Sequence, residues 1–156
     1  MTVVVRAAES PADRLAVWKI REAVFVGEQR IAESIERDGL DGVAWHLVAW
    51  DAGCAVGTAR ILPLDEQHRP VPPGKADAAR IAKIGRMAVL APKRRLGIGR
   101  QLLDAALDLA RRRGLTRAEL SAQEYVVSFY EQAGFRPEGG PYVEAGIPHR
   151  RMSRQL

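Results

Sequence analysis

Residues 94–103 read "RRLGIGRQLL". Two arginines and the closely spaced Gly97 and Gly99 stand directly before an apolar run. From Ile98 to Arg113, the positions Leu102, Leu103, Ala106, Leu107 and Ala110 recur at helical spacing, which predicts an amphipathic helix. A helix start exposes backbone N–H groups without partners and carries partial positive charge, so anions bind there readily. Glycine lets a backbone approach a phosphate with no Cβ in the way. A strand, a basic glycine-rich loop and a helix are therefore the arrangement expected of a pyrophosphate site. The two standard nucleotide patterns fail, however. G-x-x-x-x-G-K-[ST] is absent, and Leu102 occupies the third glycine of G-x-G-x-x-G. For the glycines alone, a tight turn feeding a helix is an equal alternative.

The rest of the chain limits the choice. Its 156 residues suit one domain, 1–156, with a single sizeable core. A hydrophobic content of 47% is too high for disorder, and no run is long enough to span a bilayer. The start "MTVVVRAAES" lacks the apolar region of a signal peptide. Cys54 is the only cysteine, so no intramolecular disulfide can form. A cytoplasmic protein without membrane partners is expected. The net charge is +5, with arginines and lysine gathered at 93–100, 111–113 and 150–154. Such a surplus suits an anionic small molecule as well as nucleic acid, and no helix-turn-helix or aromatic-basic motif supports the latter. Arg111–Arg113 sit where a helix C-terminus is expected, where cations oppose the dipole.

Along the chain, Thr2 to Ala7 reads as a strand. "SPAD" opens a helix, with Ser10 as cap, Pro11 at the first position and Asp13 favoured by the dipole. Leu15, Trp18, Ala23 and Val24 are expected on its buried face. "RDGLDG" reads as a loop. "HLVAW-DAG-CAVGTARIL" is a hairpin signal, with Cys54 a small apolar filler. A proline-rich loop, the strand "AKIGRMAVL", the long helix, the strand "RAELSAQ", a helix in "YVVSFYEQAG" and two short strands around Gly146 follow. This order predicts an α/β (α+β) domain with a mixed sheet.

"RRLGIG" resembles the Arg/Gln-x-x-Gly-x-Gly/Ala signature of the GNAT superfamily of acyl-CoA-dependent N-acyltransferases, and "SFYEQAGF" resembles its second signature. "REAVFVGEQ", "DGLD", "LSAQ", "FYEQAGF" and "EAGIPH" together look like the ElaA-like branch. The resemblance covers nearly the whole chain. It implies a mixed, twisted sheet splayed near its middle, flanked by helices, with acetyl-CoA wedged into the split as acyl donor.

Carried over residue by residue, the resemblance gives Met87, Ala88 and Val89 the pantetheine arm and acyl carbonyl. It gives the pyrophosphate to Arg94, Arg95, Leu96, Gly97, Ile98, Gly99 and Arg100. Gln123 stands where many relatives place an asparagine and is expected on the pantetheine amides. Tyr130 is the candidate general acid, since a phenol can protonate the departing CoA thiolate. A core tyrosine on an amphipathic helix is the plain alternative. Many relatives draw a general base from the strand before the loop, but Lys83 and Arg86 stand there instead. The candidates are Glu28, Asp38, Asp41, His46 and His149, which are also the candidate acceptor-binding residues. Glu28 interrupts an apolar stretch and is expected at the pocket mouth, or else paired with Arg21 or Arg60. Asp38 and Asp41 are equally good turn residues, and no recognised metal spacing is present, so no metal is expected.

The leading reading is an N-acetyltransferase acting by direct attack in a ternary complex. The acceptor would be a cationic small-molecule amine or a lysine side chain. Two alternatives remain. "REAVFVGEQ" resembles acyl-homoserine-lactone synthases, and the basic surface permits a non-catalytic acyl-CoA-binding module. A monomer and a homodimer are both open.

Overall fold

The structure is a computed structural model and describes residues 2–156. Seven strands form one sheet in the order β1-β2-β3-β4-β5-β7-β6. They are β1 Val3–Ala7, β2 Trp45–Asp51, β3 Cys54–Leu64, β4 Ile81–Val89, β5 Arg117–Gln123, β6 Arg136–Glu144 and β7 Ile147–Gln155. Neighbours run antiparallel except β4 and β5, which are parallel and pair only from Ile81↔Arg117 to Lys83↔Glu119. Beyond Lys83, β4 stays with β3, while β5 stays with β7 as far as Gln123↔His149. Each strand is held by its outer neighbour and released by its inner one, so the sheet splits there, as expected.

The helices are α1 Pro11–Arg21, α2 Glu33–Glu36, α3 Ile98–Arg112 and α4 Val127–Gln132. Ser10 and Asp13 form a reciprocal capping box at the start of α1. Helix α3 buries Ile98, Leu102, Leu103, Ala106, Leu107 and Ala110 against Ala49, Ala59 and Ile61. Each buried leucine contributes roughly 1.5–3 kcal/mol. The approach is close enough to require a glycine in β3. A Cβ on Gly57 would lie 2.9 Å from a Leu102 methyl and 3.2 Å from the Ala88 carbonyl oxygen.

The opposite face of the sheet is covered by α1 and the π-helical turn Glu22–Glu28 that continues it. There Ile20, Val24 and Phe25 pack on Ala88. The buried face of α1 differs from the expected one, and Ala23 beyond it is exposed while Val24 is buried. Leu15 and Trp18 are exposed, and Val17 and Ile20 face the sheet together with the polar Asp13 and Arg21. Hydrophobic periodicity fails because an arginine occupies the buried stripe and a tryptophan the outer one. Trp18 instead lies under the Arg37 guanidinium, 3.8 Å away. Cys54 is exposed at the β2–β3 turn rather than a core filler. No helix among the described residues is long and apolar enough to cross a membrane.

Candidate active site

A cleft of about 920 Å³ opens where β4 and β5 part. One wall is the loop of residues 94–99. Arg95 (φ +64°) and Gly97 (φ +83°) both turn left-handed, and Gly97 caps α3 without a side chain. Among the described residues, the N–H groups of Arg95, Leu96 and Gly97 find no partner, and the first turn of α3 adds its own free donors. Arg94, Arg95, Gly97, Ile98, Gly99 and Arg100 line the cleft, whereas Leu96 is exposed outside it. Such a row of unpaired donors at a positive helix end fits a pyrophosphate.

The floor is β4. One residue separates Thr58 from Arg60 in β3, while two separate Gly85 from Ala88 in β4, so β4 bulges at Arg86 and Met87. Arg86 sits at φ +50°, unusual for a side-chain-bearing residue inside a strand. The bulge takes Arg86 and Met87 out of the regular ladder, Ala88 and Val89 rejoin it opposite Thr58 and Gly57, and all four line the cleft. Gln123 closes the far side and donates to Gln29 Oε1 at 2.9 Å.

Tyr130 stands in the same cleft, held edge-on between Phe129 and Phe135 at 5.0 and 6.0 Å. Its hydroxyl has one protein partner, a weak contact to Met87 Sδ at 3.7 Å. Burial, with a smaller contribution from Tyr125, pushes the phenol up to about 12. It therefore stays protonated at neutral pH and can donate its proton into the cleft.

The other end of the cleft holds a charge network. Arg21, 1% exposed, binds Glu36 at 2.5 Å and Asp41 at 2.9 Å. Arg60 binds Asp38 at 2.7 Å and Asp41 at 3.0 Å. Arg86 donates to the Glu36 carbonyl at 3.0 Å and lies 3.3 Å from Asp38. Burial raises the Asp38 carboxyl, but the Arg60 hydrogen bonds, the Leu40 N–H and the Arg60 and Arg86 charges more than reverse this. It is left well below the ordinary carboxylate range. Asp41 is likewise lowered, with Arg21 and Arg60 overcoming burial. Burial, followed by the charge of Arg60, lowers Arg86.

The candidate acceptor residues thus divide. Asp38 and His149 line the cleft, and Asp41 lies behind it in the network. Glu28 does not line it. It ends the π-helical turn and pairs at 2.8 Å with Arg94 of the loop, a partner different from Arg21 and Arg60. His46 faces a separate hollow beside α1, with Nε2 3.0 Å from the Asp41 carbonyl oxygen, and burial lowers its basicity. Sequence reasoning missed Glu36, Gln29, Ser121 and Glu144. The unpaired arginines Arg21, Arg60 and Arg86 were the available signal for Glu36, since buried arginines demand carboxylates.

Residues 19–156 match the acetyltransferase (GNAT) domain. Protein ElaA of Escherichia coli (strain K12) is 33% identical over 143 residues, 90% of this chain and 86% of that protein. The crystal structure of Escherichia coli ElaA superposes with a TM-score of 0.78 at 27% identity, covering 98% of this chain and 99% of that one. An acyl-CoA N-acyltransferase from Pseudomonas aeruginosa superposes at 0.79 with 31% identity, covering 99% of both chains. A GNAT family acetyltransferase from Elizabethkingia anophelis, solved with acetyl-CoA bound, shares the fold at TM-score 0.68 and 14% identity over 99% of this chain and 98% of that one. The free donors at the mouth of α3, the split sheet and these likenesses converge: the chain belongs to the GNAT acetyltransferase family, in its ElaA-like branch, and is an acyl-CoA-dependent N-acyltransferase with acetyl-CoA as its donor.

Proposed function

We propose that the protein acetylates a primary amine, on a small molecule or a lysine side chain, by direct attack within a ternary complex. It would act in the cytoplasm and through Tyr130 as general acid. The observation that carries this reading is the position of Tyr130. A phenol held protonated by burial shares one cleft with the free N–H row of the loop and with the β4 bulge. Acetyl-CoA supplies an activated thioester. The loop N–H groups from Arg95 to Arg100 hold its pyrophosphate, with Arg94, Arg95 and Arg100 adding charge. Met87–Val89 and Gln123 align the pantetheine arm. Tyr130 then protonates the thiolate as the carbon–sulfur bond breaks. Burial raises the phenol, and the same apolar surroundings raise the basicity of a thiolate leaving into them, so the transfer keeps its driving force.

The network of Arg21, Arg60 and Arg86 with Glu36, Asp38 and Asp41 supports a structural role for these carboxylates. Three positive and three negative groups offset one another and shape the acceptor end. The test is thiol release from acetyl-CoA against a panel of primary amines, in wild type and Tyr130→Phe. The reading expects an amine-dependent rate in wild type. It fails if acetyl-CoA binds and no amine accelerates thiol release.

A further inference from the structure

Resting on the amine-acetylation reading above, we propose that His149 and Glu144 form the acceptor amine subsite, with His149 Nε2 taking the amine's proton. Three carboxylates line the cleft: Glu36, Asp38 and Glu144. Arginines hold the first two. Glu144 has no arginine partner among the described residues, and its side chain is 54% exposed. It sits at the end of β6, fixed by the tight turn at Ala145 (φ +53°) and Gly146 (φ +74°) that pairs it with Ile147.

His149 lies two residues beyond Ile147, 7% exposed, opposite Gln123 in the last pair of β5 and β7, inside the split. Its Nδ1 lies 2.7 Å from the Ile147 carbonyl oxygen. A carbonyl only accepts, so Nδ1 carries the proton, and in the neutral ring Nε2 holds a lone pair. That lone pair faces Glu144 Oε2 at 3.6 Å. Two acceptors thus face each other with no donor between them, and Glu144 Oε2 takes only a 3.3 Å hydrogen bond from Ser121 Oγ. An ammonium has three donors and no acceptor, and so completes both groups at once.

The step balances. The bound ammonium gives one proton to His149 Nε2, and Glu144 stabilises the imidazolium. The freed nitrogen bonds to the acyl carbon and the carbon–sulfur bond breaks. Tyr130 gives its proton to sulfur. The second proton on nitrogen passes through water to the Tyr130 phenolate, and His149 releases its proton to solvent. The products are the N-acetyl amine, CoA thiol and one proton.

The test compares protonated alkylamines with hydroxylamine, whose nitrogen is unprotonated at neutral pH, by thiol release from acetyl-CoA. His149→Gln should lower kcat for alkylamines by about 10²-fold and the hydroxylamine rate by far less, and His149→Gly should regain alkylamine turnover with added imidazole. Glu144→Gln should raise the alkylamine KM about tenfold and lower kcat by less than His149→Gln does. Because Glu144 is exposed, that variant carries the test even if substitutions at His149 fail to fold. Equal losses with both nucleophiles, or an unchanged KM in Glu144→Gln, overturn the proposal. A wild type that binds acetyl-CoA and acetylates no amine instead refutes the underlying reading, which separates the two failures.

Discussion

The two ends of the cleft carry similar numbers of charged side chains and use them in opposite ways. At the loop end, the backbone N–H groups of Arg95, Leu96 and Gly97 have no partner among the described residues. Among the described residues Arg95 carries no ion pair, Arg100 is held by the exposed Asp104, and Arg94 by the exposed Glu28 and the Val89 carbonyl. At the acceptor end, Arg21, Arg60 and Arg86 are each bound to carboxylates or carbonyls, and Arg21 and Glu36 are sealed from solvent. Unsatisfied donors are a surface waiting for an anion, whereas satisfied buried charges hold the chain in place. Charge alone does not mark a binding site; the unmet hydrogen-bonding capacity around it does.

Substitutions can break this contrast. The largest effect is expected at Tyr130. The Tyr130→Phe variant should lose about 10²–10⁴-fold in kcat with acetyl-CoA affinity unchanged, as steady-state kinetics and calorimetry would show. Because the phenol is pushed up to about 12, its ionisation should cost no activity at any pH below about 11, and a pH–rate profile falling through the ordinary tyrosine range near 10 would contradict the assignment.

Next comes the buried network. Arg21→Ala leaves the buried Glu36 with only the more distant Arg86, 3.8 Å away, and should cost about 3–5 kcal/mol in denaturant unfolding. The exposed pair of Glu28 and Arg94 is the counterpart. Glu28→Gln should change stability by about 0–1 kcal/mol and, by freeing Arg94, leave acetyl-CoA affinity equal or higher. A large loss of stability there would erase the distinction between the two ends.

Acid should act on the acceptor end as well. Asp38 and Asp41 hold their protons less tightly folded than unfolded. Their contribution is complete above the ordinary aspartate value near 3.9 and is lost as pH falls below it. Replacing Asp38 by Asn should therefore flatten the acid limb of a stability-against-pH curve.

The loop and α3 were legible in the sequence, because they depend on local features. Gly97, the arginines and the heptad-like spacing of α3 lie within one stretch, and "RRLGIG" and "SFYEQAGF" named the family. The acceptor half depends on residues far apart in the chain. Arg21 meets Glu36 and Asp41, and Arg86 reaches back to Glu36, contacts that no local pattern encodes. Glu36 directly precedes the "RDGLDG" stretch read as a loop and carries no motif of its own. The π-helical turn was also illegible, and it carries Glu28 to Arg94. The orientation of α1 was misread because Arg21 occupies its buried stripe.

The claim that the free donors of the loop hold the pyrophosphate is tested most directly by titration calorimetry. Acetyl-CoA and acetyl-pantetheine, which lacks the pyrophosphate, would each be titrated into wild type and Gly97→Val. A Val at φ +83° strains the turn by about 1–2 kcal/mol and places a side chain where the phosphate approaches. The account predicts that wild type binds acetyl-CoA far more tightly than acetyl-pantetheine and that a folded Gly97→Val loses most of this preference. An undiminished preference in the folded variant would contradict it.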